Sequence, residues 1–588
     1  MGKLLVAIIS VIPTWTALGL IFTGAGLMAR RVYGLKVQGA ESLLTSFWLG
    51  WAFTLLFLQL WHLYLPVDGR ALALVGALGL AGLLWSRQDL WALLTQRLSG
   101  KYIPFFFLLL LSALWIADHA ILLPMFYDSG LYHLHAVRWA NAYPLVPGLG
   151  NLHHRLAFNS SYFLYVSLLE VGPWAQKSQH LANGLLLWVL VAQVLLCGFK
   201  LIWRSNPRLE VYYLFNVLLL PAALKMGAHF FVASPSPDLP IFVLGMVVAA
   251  ALLKFLIDRE GDAREGGYAL WFITALAAAG ITVKLNFLAL GLTASILAGV
   301  IWFKRFSGQV RANHRYVVVW VIMWGTLVLL PWMLRGVVTS GYIAFPLTFG
   351  SLQVEWRMPY EQVVQLDRWI RSWTRAPGLD AGEVLGNWQW LGPWFSNLFK
   401  IEESLVNLVT PVILTVVFGA LALYYRGGQR GKWAGPGFAW VFLLCPAASI
   451  LVWFFTAPDV RLVGASFWIL AAGCVALSIG SVEEVSNPLM SPWFVPCLAL
   501  ALCLIFLDKP LLPGRKRSGD FHEIARVELK TFVTRSGLMV YTPKDGGQCW
   551  DAPLPCTPYP QADLRLRRAG DLGSGFRLDP KAEAEAAK

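Results

Sequence analysis

Apolar runs recur along this chain at residues 4–28, 43–65, 71–85, 103–121, 184–203, 211–224, 239–257, 268–283, 285–303, 317–334, 405–424, 438–455, 462–479 and 493–507. Most run roughly 15 to 25 residues, enough or nearly enough for a helix to cross the hydrocarbon core of a bilayer. In lipid a spanning segment must satisfy its own backbone, so repeated runs of this length are read as helices. The sequence therefore predicts an all-α polytopic membrane protein with about fourteen transmembrane helices. Composition concurs: 57% of the 588 residues are hydrophobic and only 14% are charged. The mean hydropathy of +0.60 is beyond what a soluble chain of this length shows. The first run ends in "ARR" rather than a small-residue cleavage site, so it is expected to stay as a span.

A net charge of +14 would suit nucleic acid, but the basic residues are dispersed over short inter-helix loops. No nucleic-acid partner is expected, and the loops instead report orientation. "ARRVYGLK", "QRLSGK", "WRSNPR", "DREGDAREGG", "FKRFSGQVRANHR" and "YYRGGQRGK" fall on one side of the count, which is assigned to the cytoplasm. "LAFNSSYFLYVSLLEVG", 156–172, is also apolar, yet a span there would send every later basic loop outward. It is read as interfacial or re-entrant. The 28 tryptophans fit interfacial belts. Three regions result: extra N-terminal helices (1–100), a transmembrane core with outer loops 119–182 and 335–400 (101–508), and a small tail domain on the outer side (509–588). In the tail "VELKTFVTRSGLMVYTP" alternates as one or two strands, and the end "KAEAEAAK" reads as frayed. "CWDAPLPC" would close a short disulfide loop between Cys549 and Cys556 in an oxidising compartment, free thiols being the alternative. Cys197, Cys445, Cys474, Cys497 and Cys503 lie in apolar runs, where they act as small hydrophobes.

The unusual polar residues gather on the outer side. "MFYDSGLYHLHAVRW" places Asp128, Tyr132, His135 and Trp139 at i, i+4, i+7 and i+11, one face of an interfacial helix, with His133 beside them. For Asp128 alone, a helix cap or a pair with Arg138 would be the plain role. Asp238 in "SPSPDLP" stands at a helix entry, where capping is the plain role. Lys284 in "GITVKLNFL" interrupts an apolar region and is costly there unless it meets an anion or reaches the interface. Arg335 in "PWMLRGVVTSGYIAFPL" and Arg461 in "APDVRL" also stand at outer membrane ends, the latter with Asp459 as a ready local partner. Five distant segments each bring a charge to one face, as expected of helices ringing a shared polar cavity. Carboxylates grouped with lysine and arginine are equipment for group transfer from a phosphate-linked donor. One carboxylate takes the acceptor's proton, while cations or a carboxylate-held metal stabilise the departing phosphate.

"YDSGLYHLHAVRW" resembles the first-loop motif of polytopic glycosyltransferases of the C superfamily, in which an Asp at a span end precedes a Tyr-His-Leu run and a Trp. "NLHHRLAFNSSYFLY" occupies the place of their short juxtamembrane element, "SPSPDLPIFVL" is similar to their second acidic loop, and "PWMLRGVVTSGYIAFPL" to a later Arg, Ser-Gly-Tyr and Pro element. More narrowly, the chain resembles an uncharacterised bacterial membrane-protein family with this first loop and a cysteine-flanked tail. The resemblance implies a polyprenyl-phosphate-linked sugar as donor, a glycan or lipid as acceptor, and a multi-pass place in the bacterial inner (plasma) membrane with site and tail periplasmic. It implies Asp128 as catalytic base and Asp238 as a second catalytic carboxylate or metal ligand. Tyr132, His133, His135, Arg138, Lys284, Arg335 and Arg461 are the candidate substrate-binding residues. Two departures stand out: three extra helices precede the first loop, and "DS" replaces the paired acids of many relatives. The second leaves open whether Asp128 and Asp238 hold a divalent cation, Mg or Mn, the one cofactor in question. A flippase or transporter of lipid-linked glycan is the first alternative. A polysaccharide polymerase or ligase using the Arg- and Trp-rich stretch 335–400 is the second.

Overall fold

The structure, a computed structural model, describes residues 2–95, 100–203, 205–228, 230–258, 261–306, 311–428, 437–479, 524 and 526–579. The predicted span 493–507 with Cys497 and Cys503, and the 581–588 end, lie outside the described residues. Among those described, 11 helices are long and apolar enough to cross a membrane. The pair Gly69–Trp85 and Arg87–Thr95, bent by 64°, makes up to 12, and Ser466–Ile479 is a shorter apolar helix. The chain is a mostly helical, multi-pass membrane protein.

Small residues set the closest helix contacts. Gly2–Val32 lies against Ala40–Trp61 and Gly69–Trp85. A Cβ on Gly24 would run into the Gly79 carbonyl, and one on Gly26 into that of Ser46, so neither position tolerates a side chain without parting the helices. The first helix is fastened further by the Trp15 indole, which donates to the Leu181 carbonyl at 2.9 Å. One apolar core runs from Val11 and Trp15 through Trp48 and Trp271 to Val540 and Phe576. The first three helices are thus built into the same core as the rest.

The 156–172 stretch forms no span. It folds as a 3-10 turn, His154–Phe158, and a buried helix, Tyr162–Leu168, tucked against Ala40–Trp61. The loop expected from 335 begins later than the sequence suggested. Helix Arg311–Ser340 runs on past Arg335, whose side chain finds polar partners inside the protein and has no need to leave it. Beyond it an amphipathic helix, Tyr360–Arg375, packs Val363 with Ala157 and Tyr342 and sets the Trp369 ring beside Arg155.

In the tail, β1 (Leu529–Val533) and β2 (Met539–Pro543) form an antiparallel hairpin whose turn uses Gly537 at φ +80°. β3 (Leu564–Leu566) pairs antiparallel with β4 (Phe576–Leu578). Phe576 is fully buried, its N–H donating to the Pro147 carbonyl at 2.9 Å, and Arg567 and Arg577 both hold Glu355, at 2.6 and 2.8 Å. The tail is therefore tied to the segments around Pro147 and Glu355.

Candidate functional site

Asp128 sits where the loop after helix Ile103–Ala120 turns into helix, and its partner comes from the 3-10 turn His154–Phe158. Arg155 Nη1 donates to Asp128 Oδ1 at 2.8 Å. The Arg155 guanidinium is flanked by two rings, Tyr132 at 5.9 Å and Trp369 at 5.4 Å from its carbon. Burial raises the Asp128 pKa above the ordinary carboxylate range, against the lowering pull of Arg155 and Arg461. The alternative role, a local pair with Arg138, is not taken.

Asp238 belongs to the same electrostatic group. The turn before it is fixed by Asn183, whose amide donates to the carbonyls of Phe231, Ser234 and Ser236 at 2.9, 2.7 and 3.1 Å. A 2.5 Å hydrogen bond between the hydroxyls of Ser129 and Ser234 joins this turn to the first loop. Asp238 is the first residue of helix Asp238–Ile257 and does not cap it. Its carboxylate instead accepts from Lys284 at Oδ1 and from the Ser236 hydroxyl at Oδ2, 3.1 Å. Lys284 reaches it because the backbone is extended between Ala263–Val283 and the 3-10 turn Leu285–Phe287. Arg461 does pair with Asp459, at 3.3 Å, yet its guanidinium also lies 5.4 Å over the Phe126 ring and acts electrostatically on both Asp128 and Asp238.

Arg335 is brought to Arg155 rather than to the carboxylates. It is buried, with Nε donating to Asn159 Oδ1 at 3.2 Å and Nη1 to His62 Nδ1 at 2.8 Å. An accepting Nδ1 leaves the His62 proton on Nε2, which donates to the Tyr143 carbonyl at 3.2 Å. Burial and Arg335 together hold the His62 pKa well below its ordinary value. Arg155 and Arg335 line one cavity of about 50 Å³ with His62, Asn159 and Ser160, and no acidic side chain lines it. Arg335 meets no carboxylate and Arg155 only Asp128, outside the lining, so the cavity suits a small anion.

The segment Asn159–Ser161 organises this arrangement. Asn159 adopts φ +53°, and three hydrogen bonds hold it there: its amide donates to the Trp332 carbonyl at 2.6 Å, its own carbonyl accepts from Trp332 Nε1 at 3.0 Å, and its side-chain oxygen takes Arg335. Ser160 and Ser161 grip the helix end before Lys284 through the Val283 carbonyl at 2.7 Å and the Thr282 hydroxyl at 2.8 Å. The sequence marks this element only as juxtamembrane, and Arg155 and Asn159 were missed as site residues. Their signal was a run of polar residues, "NLHHR" and "NSS", inside an otherwise apolar stretch.

The single helical face expected from Asp128 to Trp139 is not formed. Ser129–His133 is a π-helical turn, and its wider winding shifts the following helix, Leu134–Ala142, out of phase. Tyr132 stays beside Arg155, and His133 stacks on Phe126 at 5.9 Å. Burial, reinforced by Lys284, lowers the His133 pKa to about 3, so it is neutral near pH 7. His135 and Arg138 turn to the tail and are not brought to Asp128. His135 is buried against bonded Cys549 and Cys556, and burial lowers its pKa to about 3. Arg138 pairs with Asp551 and donates to the Ala552 carbonyl at 2.7 Å. Trp550 N–H donates to the Gly130 carbonyl at 2.9 Å, and its indole covers Gly130 so closely that a Cβ there would collide with it. Gln548 donates to the Tyr127 carbonyl at 2.7 Å. The disulfide loop thus clamps both sides of Asp128.

Asp128 and Asp238 do not fit a divalent cation. Arg155 occupies one oxygen of Asp128, Lys284 and Ser236 occupy both of Asp238, and three cations surround two carboxylates. The described residues offer one metal-like cluster, His135 with Cys549 and Cys556, whose sulfurs are joined to each other.

Residues 8–468 match the family described as Domain of unknown function (DUF8201). The chain belongs to the DUF8201 family. No curated protein matches it, and no solved structure does. The DUF8201 region holds Asp128, Arg155, Asp238, Lys284, Arg335 and Arg461, while the clamping tail lies beyond it.

Proposed function

We propose that the chain is a membrane glycosyltransferase similar to the C superfamily, moving a sugar from a polyprenyl-phosphate-linked donor to a glycan or lipid acceptor of the cell envelope. The acceptor hydroxyl gives its proton to Asp128 as its oxygen bonds to the anomeric carbon. The bond from that carbon to the phosphate oxygen breaks on the opposite face, its electron pair leaves with the lipid phosphate, and configuration inverts. Arg155 and Arg335 face the departing phosphate, with Lys284 and Arg461 adding positive field. Asp238, held by Lys284, is a positioning residue. No metal takes part in this scheme.

The observation that carries the reading is the Asp128–Arg155 contact. It sets a carboxylate raised by burial beside a guanidinium that lines a cavity free of acids. The basic-loop asymmetry and the Cys549–Cys556 bond support a place in the bacterial inner membrane with site and tail periplasmic, the spans numbering about fourteen by the apolar runs. The test is transfer in proteoliposomes by wild type and Asp128→Asn, scored for released polyprenyl phosphate and new glycoside.

A flippase reading draws on one observation: Lys284 stands at a break between two helices and meets a buried carboxylate, as ionisable groups do in carriers. It predicts donor translocation without any new glycosidic bond. A polymerase or ligase reading is weakened by how the arginines of 335–400 are used. Arg371 pairs with Asp367 at 2.9 Å, and Arg375 donates to the Phe455 and Thr456 carbonyls at 2.8 and 3.1 Å.

A further inference from the structure

A larger cavity, of about 370 Å³, opens at the other end of the helix that begins with Asp238. It is lined by Arg30, Glu41, Lys200 and Lys254, which come from four different helices. Asp238 and Lys254 are separated by about 24 Å of helix, close to the thickness of the hydrocarbon core. The cavity therefore faces the opposite side of the membrane from Asp128.

Its charges do not cancel. Glu41 accepts from Lys254 at 2.5 Å and also from Lys200, so one carboxylate meets two ammonium groups and one positive charge is left over. Arg30, only 8% exposed, donates from Nε to the Lys36 carbonyl at 3.0 Å and lies 5.0 Å from the centre of the Tyr268 ring. Among the described residues no carboxylate pairs with it. The other two acids of the lining are peripheral: Glu265 is exposed, and Asp258 is half-exposed with its carbonyl taken by Arg305 at 2.7 Å. At the rim the cation Arg305 stands with those two acids, while the inner group of Arg30, Lys200, Lys254 and Glu41 carries two surplus positive charges, which match a dianion; the apolar wall of Leu196, Val247 and Phe272 suits an attached organic group.

We propose that this cavity is a binding site for a phosphate monoester, at the membrane face opposite Asp128. It stands independently of the glycosyltransferase reading. Two probes separate a soluble from a lipid source. Inorganic phosphate is titrated into the full chain in detergent at constant ionic strength, followed by thermal unfolding. Phosphatidic acid is compared with phosphatidylcholine of the same acyl chains in nanodiscs, followed by native mass spectrometry. Lys200→Gln removes one of the two surplus charges yet leaves Glu41 paired with Lys254, and should weaken binding roughly tenfold. Glu41→Gln adds a surplus charge and should tighten it, a direction that misfolding does not produce. Saturable binding of inorganic phosphate assigns a soluble ligand, and binding of phosphatidic acid alone assigns a lipid headgroup. If neither probe binds saturably, or if binding fails to weaken in Lys200→Gln or to tighten in Glu41→Gln, the proposal is overturned.

Discussion

Arg155 donates to Asp128 at 2.8 Å from 27 residues further along the chain, and the same guanidinium shares a cavity with Arg335. One side chain thus links the candidate base to the candidate phosphate pocket.

That link has a pH signature. Asp128 must be deprotonated to act as base, and the positive charge of Arg155 opposes the rise that burial imposes on its pKa. In Arg155→Gln the opposition is lost, the pKa rises further, and the acid limb of kcat/KM moves to higher pH whatever the residual rate. An acid limb at the wild-type position would separate Arg155 from the titration of the base.

Asp238 and Lys284 form a largely buried pair, so removing either partner strands a charge. Asp238→Asn or Lys284→Gln should each cost roughly 3 kcal/mol in stability. The double variant should recover part of that loss. Thermal unfolding in detergent measures the cycle, and strictly additive losses would mean the two side chains do not depend on each other.

The tail clamp is testable at a residue without a side chain. Gly130→Ala places a methyl against the Trp550 indole, so the 548–552 loop must shift at a cost of about 1 to 3 kcal/mol. Faster proteolysis of the tail and a lower transfer rate are expected. Trp550→Ala in the same background should restore docking in part, since it removes the collision.

Much of the architecture was legible because lipid enforces it: apolar runs of spanning length read directly as helices. The separate identity of Lys284 and Asp238 was legible too, since isolated charges in apolar context stand out. Their pairing was not, because it depends on an extended backbone at Lys284 and on Asn183 fixing the opposing turn. Arg155 was hidden at the edge of the apolar 156–172 stretch, whose apolar content dominated the reading of that region. His135 was placed on the face of Asp128 by helical periodicity, which the π turn at Ser129–His133 interrupts, and Arg138 came to the site by resemblance; the neighbours of both lie over 400 residues away in the tail.

Sidedness follows from the basic loops and is open to direct labelling. Ser536→Cys in the exposed β1–β2 turn should react with a membrane-impermeant maleimide from the periplasm. Ser205→Cys, exposed beyond helix Gln179–Ile202, should react only after the inner membrane is permeabilised. The reverse pattern would invert the topology.

The central claim is that Asp128 accepts the acceptor's proton. Asp128→Asn keeps the shape and part of the hydrogen bonding but takes no proton, so a general base should lose on the order of 100-fold or more in rate. Purified protein in liposomes, given polyprenyl-phosphate sugars and a panel of envelope glycans and lipids, should release polyprenyl phosphate and form new glycoside with wild type. In Asp128→Asn both products should fall together while donor binding is retained. Undiminished transfer by Asp128→Asn, or donor translocation without transfer by wild type across the panel, would contradict the account.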